Sequence, residues 1–188
     1  MARAANRLRI IGGANRGRIV RFVDAPGLRP TPDRVRETLF NWLGQDLTGR
    51  ATLEPYAGSG VLSLEALSRG AASAVAIDRD AARVRTLRDN AAMLGAGALE
   101  AVCGDALAIL ARETRRFDVI FLDPPFADDP WPRLFSLSAP RLADGGFIYA
   151  EAGRELAPAA GLALHRHGKA GQVHYHLLRS ATPLIATS

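Results

Sequence analysis

Four consecutive residues in the second half of the chain combine types that can do chemistry: Asp123, Pro124, Pro125 and Phe126. The Asp123 carboxylate can accept hydrogen bonds from an amine or a ring N–H. The proline pair fixes the backbone, and the Pro124 carbonyl can accept another hydrogen bond. Phe126 offers a flat face on which a base can stack. Two acceptors beside a stacking platform suit the exocyclic amino group of a purine. The lone pair of that nitrogen is delocalised into the ring, and acceptors holding its hydrogens favour the pyramidal, more nucleophilic form. The bland alternative for these four residues is an ordinary strand-to-loop turn, and what surrounds them decides between the two.

The preceding run, Phe117-Asp118-Val119-Ile120-Phe121-Leu122, is apolar, β-branched and aromatic, and reads as a buried strand. It must end at the prolines, which lack the ladder N–H. The carboxylate therefore arrives at the carboxyl end of a strand, where open α/β sheets hold ligands. From residue 51 the pattern alternates: 51–55, 74–78, 99–103, 117–122 and 147–151 read as strands, and 61–68 and 81–94 as helices. Such alternation predicts a mostly parallel sheet with helices on both faces. Near the end it stops: 162–167 and 173–178 read as an antiparallel hairpin turning at Gly168-Lys169-Ala170-Gly171, and 181–188 as a frayed tail.

Three other strand ends converge on the same crevice. Glu54-Pro55-Tyr56-Ala57-Gly58-Ser59-Gly60 follows the first strand, and its glycines allow close backbone approach to a ligand. Asp78, with Arg79 beside it, ends the second strand, where a carboxylate can accept both hydroxyls of a ribose. Gly104-Asp105-Ala106 follows the third and can meet an adenine. The third glycine of a dinucleotide fingerprint is missing and the loop has no lysine, so neither a pyrophosphate site nor a P-loop is expected. That favours a nucleoside without a pyrophosphate, of which S-adenosylmethionine is the common one; Glu54 would lie near its amino group.

The chain of 188 residues is 48% hydrophobic, enough for a packed core. Its net charge of +5 is unevenly spread. Residues 1–36 hold nine arginines against Asp24 and Asp33, a local +7 that leaves −2 for the remainder. That N-terminal charge suits an acidic partner. Segments 10–13 and 18–22 read as a hairpin turning at 14–17, which would project Arg16, Arg18 and Arg21 together. Pro26 to Pro30 reads as a loop, and Thr31-Pro32 as a helix cap followed by proline at the first helical position. Val35, Leu39, Trp42 and Leu43 then share one helix face. The single cysteine, Cys103, excludes an intrachain disulfide or a cysteine-based zinc site, and its apolar run predicts a small core residue. Met1 to Arg9 has no apolar stretch behind it, so no signal peptide is expected, and no run approaches a membrane span. A cytoplasmic protein with no membrane partner is expected. His165, His167, His174 and His176 alternate with no carboxylate or cysteine alongside, which predicts a surface hairpin rather than a metal site. Trp131 can gate the pocket or anchor the next helix; both readings stay open.

With these residues assembled, the chain resembles a class I methyltransferase, and more closely the RsmD-type family, which methylates guanine N2 in small-subunit (16S) ribosomal RNA. The resemblance runs from about Arg9 to Arg179. Its most specific parts are Arg9-Ile10-Ile11-Gly12-Gly13, Gly27-Leu28-Arg29-Pro30-Thr31 and the stretch Arg34 to Leu43. Ala57-Gly58-Ser59-Gly60, Asp123-Pro124-Pro125-Phe126 and Ala170-Gly171-Gln172-Val173 add to these. Two departures keep the chemistry: Glu54-Pro55-Tyr56 stands where the family usually has Asp-x-Phe, and Asp78 stands where it often has glutamate. The resemblance implies a Rossmann-like fold with a mostly parallel seven-stranded sheet, a C-terminal antiparallel hairpin and a small basic N-terminal extension. It divides the chain into 1–43 for RNA contact, a methyltransferase domain over 44–180 and a tail over 181–188. It implies S-adenosylmethionine as cofactor, S-adenosylhomocysteine as product, no metal, and a monomer acting on ribosomal RNA of an assembling small subunit, at the guanine conventionally numbered 966. Asp123 to Phe126 would be catalytic. Glu54, Tyr56 to Gly60, Asp78, Arg79, Gly104 to Ala106 and Asp123 would bind the cofactor. Arg16, Arg18, Arg21, Arg29, Arg34 and Arg36 would hold RNA.

Three rivals use the same residues differently. An adenine-N6 methyltransferase would share the Asp-Pro-Pro-Phe motif but lacks room here for a separate target-recognition domain. An NAD-dependent oxidoreductase is disfavoured by the glycine pattern. A catalytically silent RNA-binding assembly factor would have no need of the intact motif.

Overall fold

Apolar runs of five or six residues with no polar alternation must be covered on both faces, and the computed structural model covers them with helices. It describes residues 6–23, 31–125 and 129–181. In chain order the elements are β1 (Arg7–Arg9), β2 (Ile19–Arg21), α1 (Asp33–Trp42), β3 (Ala51–Glu54), α2 (Val61–Ser68), β4 (Ser73–Asp78) and α3 (Ala81–Leu94). β5 (Leu99–Cys103), α4 (Ala106–Arg112), β6 (Phe117–Leu122), α5 (Trp131–Ser138), β7 (Leu142–Ala152), β8 (Leu162–Ala170) and β9 (Val173–Ser180) follow. Seven strands form one sheet in the order β5-β4-β3-β6-β7-β9-β8. β5 through β7 are parallel neighbours, and β9 runs antiparallel between β7 and β8. The chain winds outward from β3 to β5, then returns to lay β6 on the other side of β3. That reversal opens a crevice at the carboxyl ends of β3 and β6. Glu54 ends β3 and Asp123 directly follows β6.

β6 shows how the sequence is read by the two core layers. Val119 and Phe121 pack with α1, α2 and α3 through Leu39, Phe40, Leu64, Val84 and Leu87. Ile120 and Leu122 pack on the other face with α4 and α5 through Leu110, Leu134 and Phe135. The helices have local reasons to start where they do. Asp80 caps α3 by accepting from the N–H groups of Ala82 and Arg83, and Asp105 caps α4 by accepting from Ala108 at 2.7 Å.

The N-terminal hairpin forms, with its first strand earlier than expected. β1 pairs with β2, Leu8 opposite Val20. Gly12 and Gly13 are not strand residues but a close approach to the end of α2. A Cβ on Gly13 would lie 1.8 Å from the Ser68 carbonyl oxygen, and its φ of 73° suits glycine. The expected cap at Thr31 does not form. Pro32 occupies the position before α1 with no side-chain cap, and the Thr31 hydroxyl is used elsewhere. Cys103 is exposed rather than core, because it is the last residue of β5, the edge strand. The terminal hairpin turns later than expected, at Gly171 and Gln172, and Gly168 lies within β8. Gly168 is needed there because the Tyr175 ring fills the space a Cβ would take, 2.4 Å away. Among the described residues no helix is long and apolar enough to cross a membrane.

Candidate active site

The turn from β3 into α2 is built on glycine. Gly58 and Gly60 have φ of 54° and 67°, and a Cβ on Gly60 would meet the Leu87 side chain at 2.3 Å. α3 therefore packs closely under the loop. Glu54 turns back onto α2: its Oε2 accepts from Ser63 N–H at 3.0 Å and Ser63 O–H at 2.5 Å. Asp78 steadies the loop from the next strand. Its Oδ2 accepts from Gly58 N–H at 2.9 Å and its Oδ1 from Asp80 N–H at 2.8 Å. Gly104 N–H donates to the Asp78 carbonyl at 3.0 Å, which ties β5 to the same corner. The fold thus gathers Glu54, Tyr56, Ala57, Gly58, Ser59, Gly60, Asp78, Gly104, Asp105 and Ala106 at neighbouring strand ends. Arg79 stands at the same edge with its side chain exposed, and its carbonyl accepts from Cys103 Sγ–H at 3.7 Å.

Across the switch point lie two more carboxyls. Asp123 is half-buried, but its carboxyl is enclosed by the protein's own groups. Burial holds it well above the ordinary carboxylate range, and Glu151 and Glu54 push it further the same way. Glu151 lies in the buried carboxyl-terminal part of β7, and its Oε1 accepts from both the Tyr149 and the Thr31 hydroxyls at 2.8 Å. Burial raises its carboxyl in spite of those two bonds. Glu54 is pushed up to about 8 by burial, with Asp78 and Glu151 adding to the effect and Ser63 opposing it. Burial raises all three carboxyls, and a crevice that disfavours their charge in this way is chemically suited to a cation. Sequence reading missed Glu151, Tyr149 and Thr31. Glu151 carried a faint signal, a carboxylate closing an apolar strand; Thr31 carried none, since its neighbour Pro32 pointed to a helix cap.

Beside Asp123 a cleft of about 270 Å³ is lined by Pro124, Pro125, Asp129, Trp131, Ala152, Gly153 and Arg154. An Arg154–Asp129 ion pair of 2.8 Å lies among these lining residues. Trp131 does two jobs: it is buried against Phe135, with ring centroids 5.4 Å apart, and it also lines the cleft. Phe126 lies outside the described residues.

Of the six arginines expected to meet RNA, Arg16, Arg18, Arg21 and Arg34 are exposed, and Arg29 lies outside the described residues. Arg36 is a correction. It is fully buried, donating to Glu65 at 2.7 Å, to the Arg9 carbonyl at 3.0 Å and to Asp33. A guanidinium with no exposed surface cannot reach a phosphate. Arg7 and Arg9 are exposed on the hairpin and were not singled out, Arg7 lying directly opposite Arg21. Between the hairpin and α3 runs a groove of about 630 Å³ lined by Arg7, Ile19, Arg21, Phe22, Asn90 and Met93, among others. The histidines are a second correction. A carboxylate does accompany them: Glu155, from the loop after β7, has an oxygen within 4.8 Å of a ring nitrogen of both His167 and His174. His165 packs instead against Phe147, out of the group.

The strand order and the crevice at its switch point define a class I, S-adenosylmethionine-dependent methyltransferase fold. A family model described as "Conserved hypothetical protein 95" matches residues 8–179. The chain is 44% identical over 179 residues to "Ribosomal RNA small subunit methyltransferase D" of Escherichia coli K12, covering 92% of this chain and 90% of that one. The solved structure of the Escherichia coli protein yhhF superposes with a TM-score of 0.84 at 43% identity, covering 93% of this chain and 98% of that one. A more distant structure, SMU.776 in complex with SAH, shares only the fold, with a TM-score of 0.66 at 14% identity over 85% of this chain and 52% of that one. The chain belongs to the RsmD family of methyltransferases.

Proposed function

We propose that this protein transfers a methyl group from S-adenosylmethionine to the exocyclic N2 of a guanine in small-subunit ribosomal RNA, the guanine conventionally numbered 966. One observation carries the reading: Asp123 follows β6 at the switch point, with Glu54 at the end of neighbouring β3 and the cleft lined by Pro124 and Pro125 beside it. The relative named for ribosomal RNA methylation, and the fold shared with an SAH complex, supply the substrate and cofactor classes.

When bound, the cofactor would supply an activated methyl group on a sulfonium, so no metal or covalent intermediate is needed for the transfer. Asp78 would hold the ribose hydroxyls with lone pairs left over from Gly58 and Asp80. Asp105 would face the adenine, and Glu54 the amino group. The positive charge arriving there would draw Glu54 and Asp123 back toward the ordinary carboxylate range. Asp123 and the Pro124 carbonyl would then accept the two hydrogens of the guanine amine and aim its lone pair at the methyl carbon. On accepting the methyl group the amine would become cationic, and Asp123, already holding one of its hydrogens, would take that proton. Phe126 would stack on the base taken out of its helix. Positioning two reactants in line supplies much of the rate. Arg16, Arg18 and Arg21, joined by Arg7 and Arg9 on the same exposed hairpin, would grip phosphates, with Arg34 alongside.

Mass-spectrometric mapping of methylated nucleosides in ribosomal RNA from cells with and without the protein tests the assignment. Loss of N2-methylguanosine at one small-subunit position is expected. Loss of N6-methyladenosine instead, or no change, would overturn it.

A further inference from the structure

Three side chains that methyl transfer does not use meet at the far edge of the sheet. On the β8–β9 hairpin the register sets His167 opposite His176 and Lys169 opposite His174, so His167 and His174 are diagonal neighbours. Their rings lie within 15° of parallel with centroids 5.3 Å apart, and His167 Nε2 is 3.1 Å from His174 Nδ1. Glu155 adds a carboxylate from the loop after β7, and one donor atom from each of the three residues lies within 4.8 Å of the other two. His176 is the floor of the group. It stacks under His167 at 4.7 Å, its Nε2 accepts from Leu156 N–H at 3.0 Å, and its Nδ1–H donates to the Ala150 carbonyl at 3.2 Å. Both its nitrogens are thus committed, and it holds Leu156, and with it Glu155, against the hairpin.

We propose that Glu155, His167 and His174 bind a divalent transition-metal ion, zinc foremost. Two nitrogens sharing one zinc at tetrahedral angle, each about 2.0–2.1 Å from it, stand roughly 3.3 Å apart. The observed 3.1 Å separation is close to that span, and the ion would take the place of the hydrogen now shared between the two ring nitrogens. The Glu155 side chain is exposed, and a rotation of it would bring the carboxylate in to close the third edge. Imidazole and carboxylate together suit zinc, with copper and nickel as competitors. Lys169 is the one cation that the register sets beside His174, and the Glu155 charge offsets it. The ion would tie the loop after β7 to the hairpin. Arg154, next to Glu155, pairs with Asp129 among the lining of the 270 Å³ cleft. Metal binding would therefore brace the wall formed by Ala152, Gly153 and Arg154.

The test is zinc titration by calorimetry of the full chain without a histidine tag, stripped with chelator, near neutral pH. The parent should bind one equivalent and gain thermal stability with zinc. His167→Ala and His174→Ala should each weaken binding by at least roughly ten- to hundred-fold, a loss of the size seen even for residues that only support metal ligands. Glu155→Gln, on a surface loop, should weaken it and lose the thermal shift. His165→Ala should behave as the parent. Each variant's binding of S-adenosylmethionine reports that it is folded. No saturable zinc binding by the parent, or binding unaltered in both His167→Ala and Glu155→Gln, overturns the site.

Discussion

Replacing Glu54 with glutamine should change how cofactor binding depends on pH. Glu54 is 4% exposed and its carboxyl is pushed up to about 8. An ammonium placed beside it would return the group to the ordinary carboxylate range, so cofactor binding would expel its proton. Well below the raised value, each unit of pH then changes affinity about tenfold. The ligand's own amino group titrates at roughly 7.7–8.0, so the useful window is about pH 5.5 to 7. Across it, the Glu54 contribution amounts to roughly a thirty-fold gain in affinity. Asp123 and Glu151 are also raised, so the parent can exceed that figure. The difference between parent and Glu54→Gln is the quantity to measure. Calorimetry in two buffers of different protonation enthalpy counts the proton directly, and the variant should release about one fewer. The same group sets a stability trend without cofactor. Its folded value lies above 4.5, so between 4.5 and about 8 the folded chain holds a proton that the unfolded chain has lost. Stability from this group is therefore greatest at low pH and declines as pH rises through that window. Parent and variant with identical pH profiles in both experiments would refute the role given to Glu54.

Asp123→Ala should abolish methyl transfer while leaving S-adenosylmethionine affinity within a few-fold; turnover near the parent rate would remove Asp123 from the chemistry. The triple variant Arg16→Ala, Arg18→Ala, Arg21→Ala should flatten the log–log dependence of RNA affinity on salt by up to about 2, at roughly 0.7 per lost phosphate contact. An unaltered slope would move the grip to Arg34 or to Arg7 and Arg9. Arg36→Ala leaves the buried Glu65 carboxyl without its 2.7 Å partner, since both side chains have no exposed surface. It should cost about 3–5 kcal/mol in chemical denaturation, and a loss under about 1 kcal/mol would show that water or Arg69 takes over the charge.

What could be read from the chain was what local chemistry dictates. β6 had to stop at Pro124, the apolar runs had to be buried on both faces, and Asp78 and Asp105 fell at strand ends by spacing alone. What could not be read was long-range. Thr31 lies 120 positions from Glu151, whose carboxylate its hydroxyl reaches, and nothing near Thr31 announces that partner. Arg36 looked like one more N-terminal cation because charge counting does not distinguish a buried guanidinium from an exposed one. Glu155 came to the histidines through a loop, so spacing within the hairpin hid it. Gly168 read as a turn because glycine marks turns more often than it clears room for a tyrosine ring.

The buried contacts also explain why a basic hairpin of two three-residue strands can serve as a positioning surface rather than a loose tail. A two-stranded ribbon this short has little stability of its own. Here Glu65, midway along α2, accepts from Ile11 N–H at 2.7 Å and from Arg36 at 2.7 Å. Ser68, at the end of the same helix, donates to the Gly12 carbonyl at 2.6 Å and accepts from Asn15 N–H at 2.9 Å. Asn90 of α3 bonds both the N–H and the carbonyl of Arg21. α2 begins at the glycine loop and α3 packs beneath it through Leu87. The exposed arginines are therefore held in a fixed frame with the residues proposed to hold the cofactor. α1 leads back from that hairpin to Thr31 and so to Glu151 beside Asp123. An RNA gripped at the hairpin would present its guanine to the cleft at a distance set by the fold, which is what in-line transfer between two separately bound molecules requires.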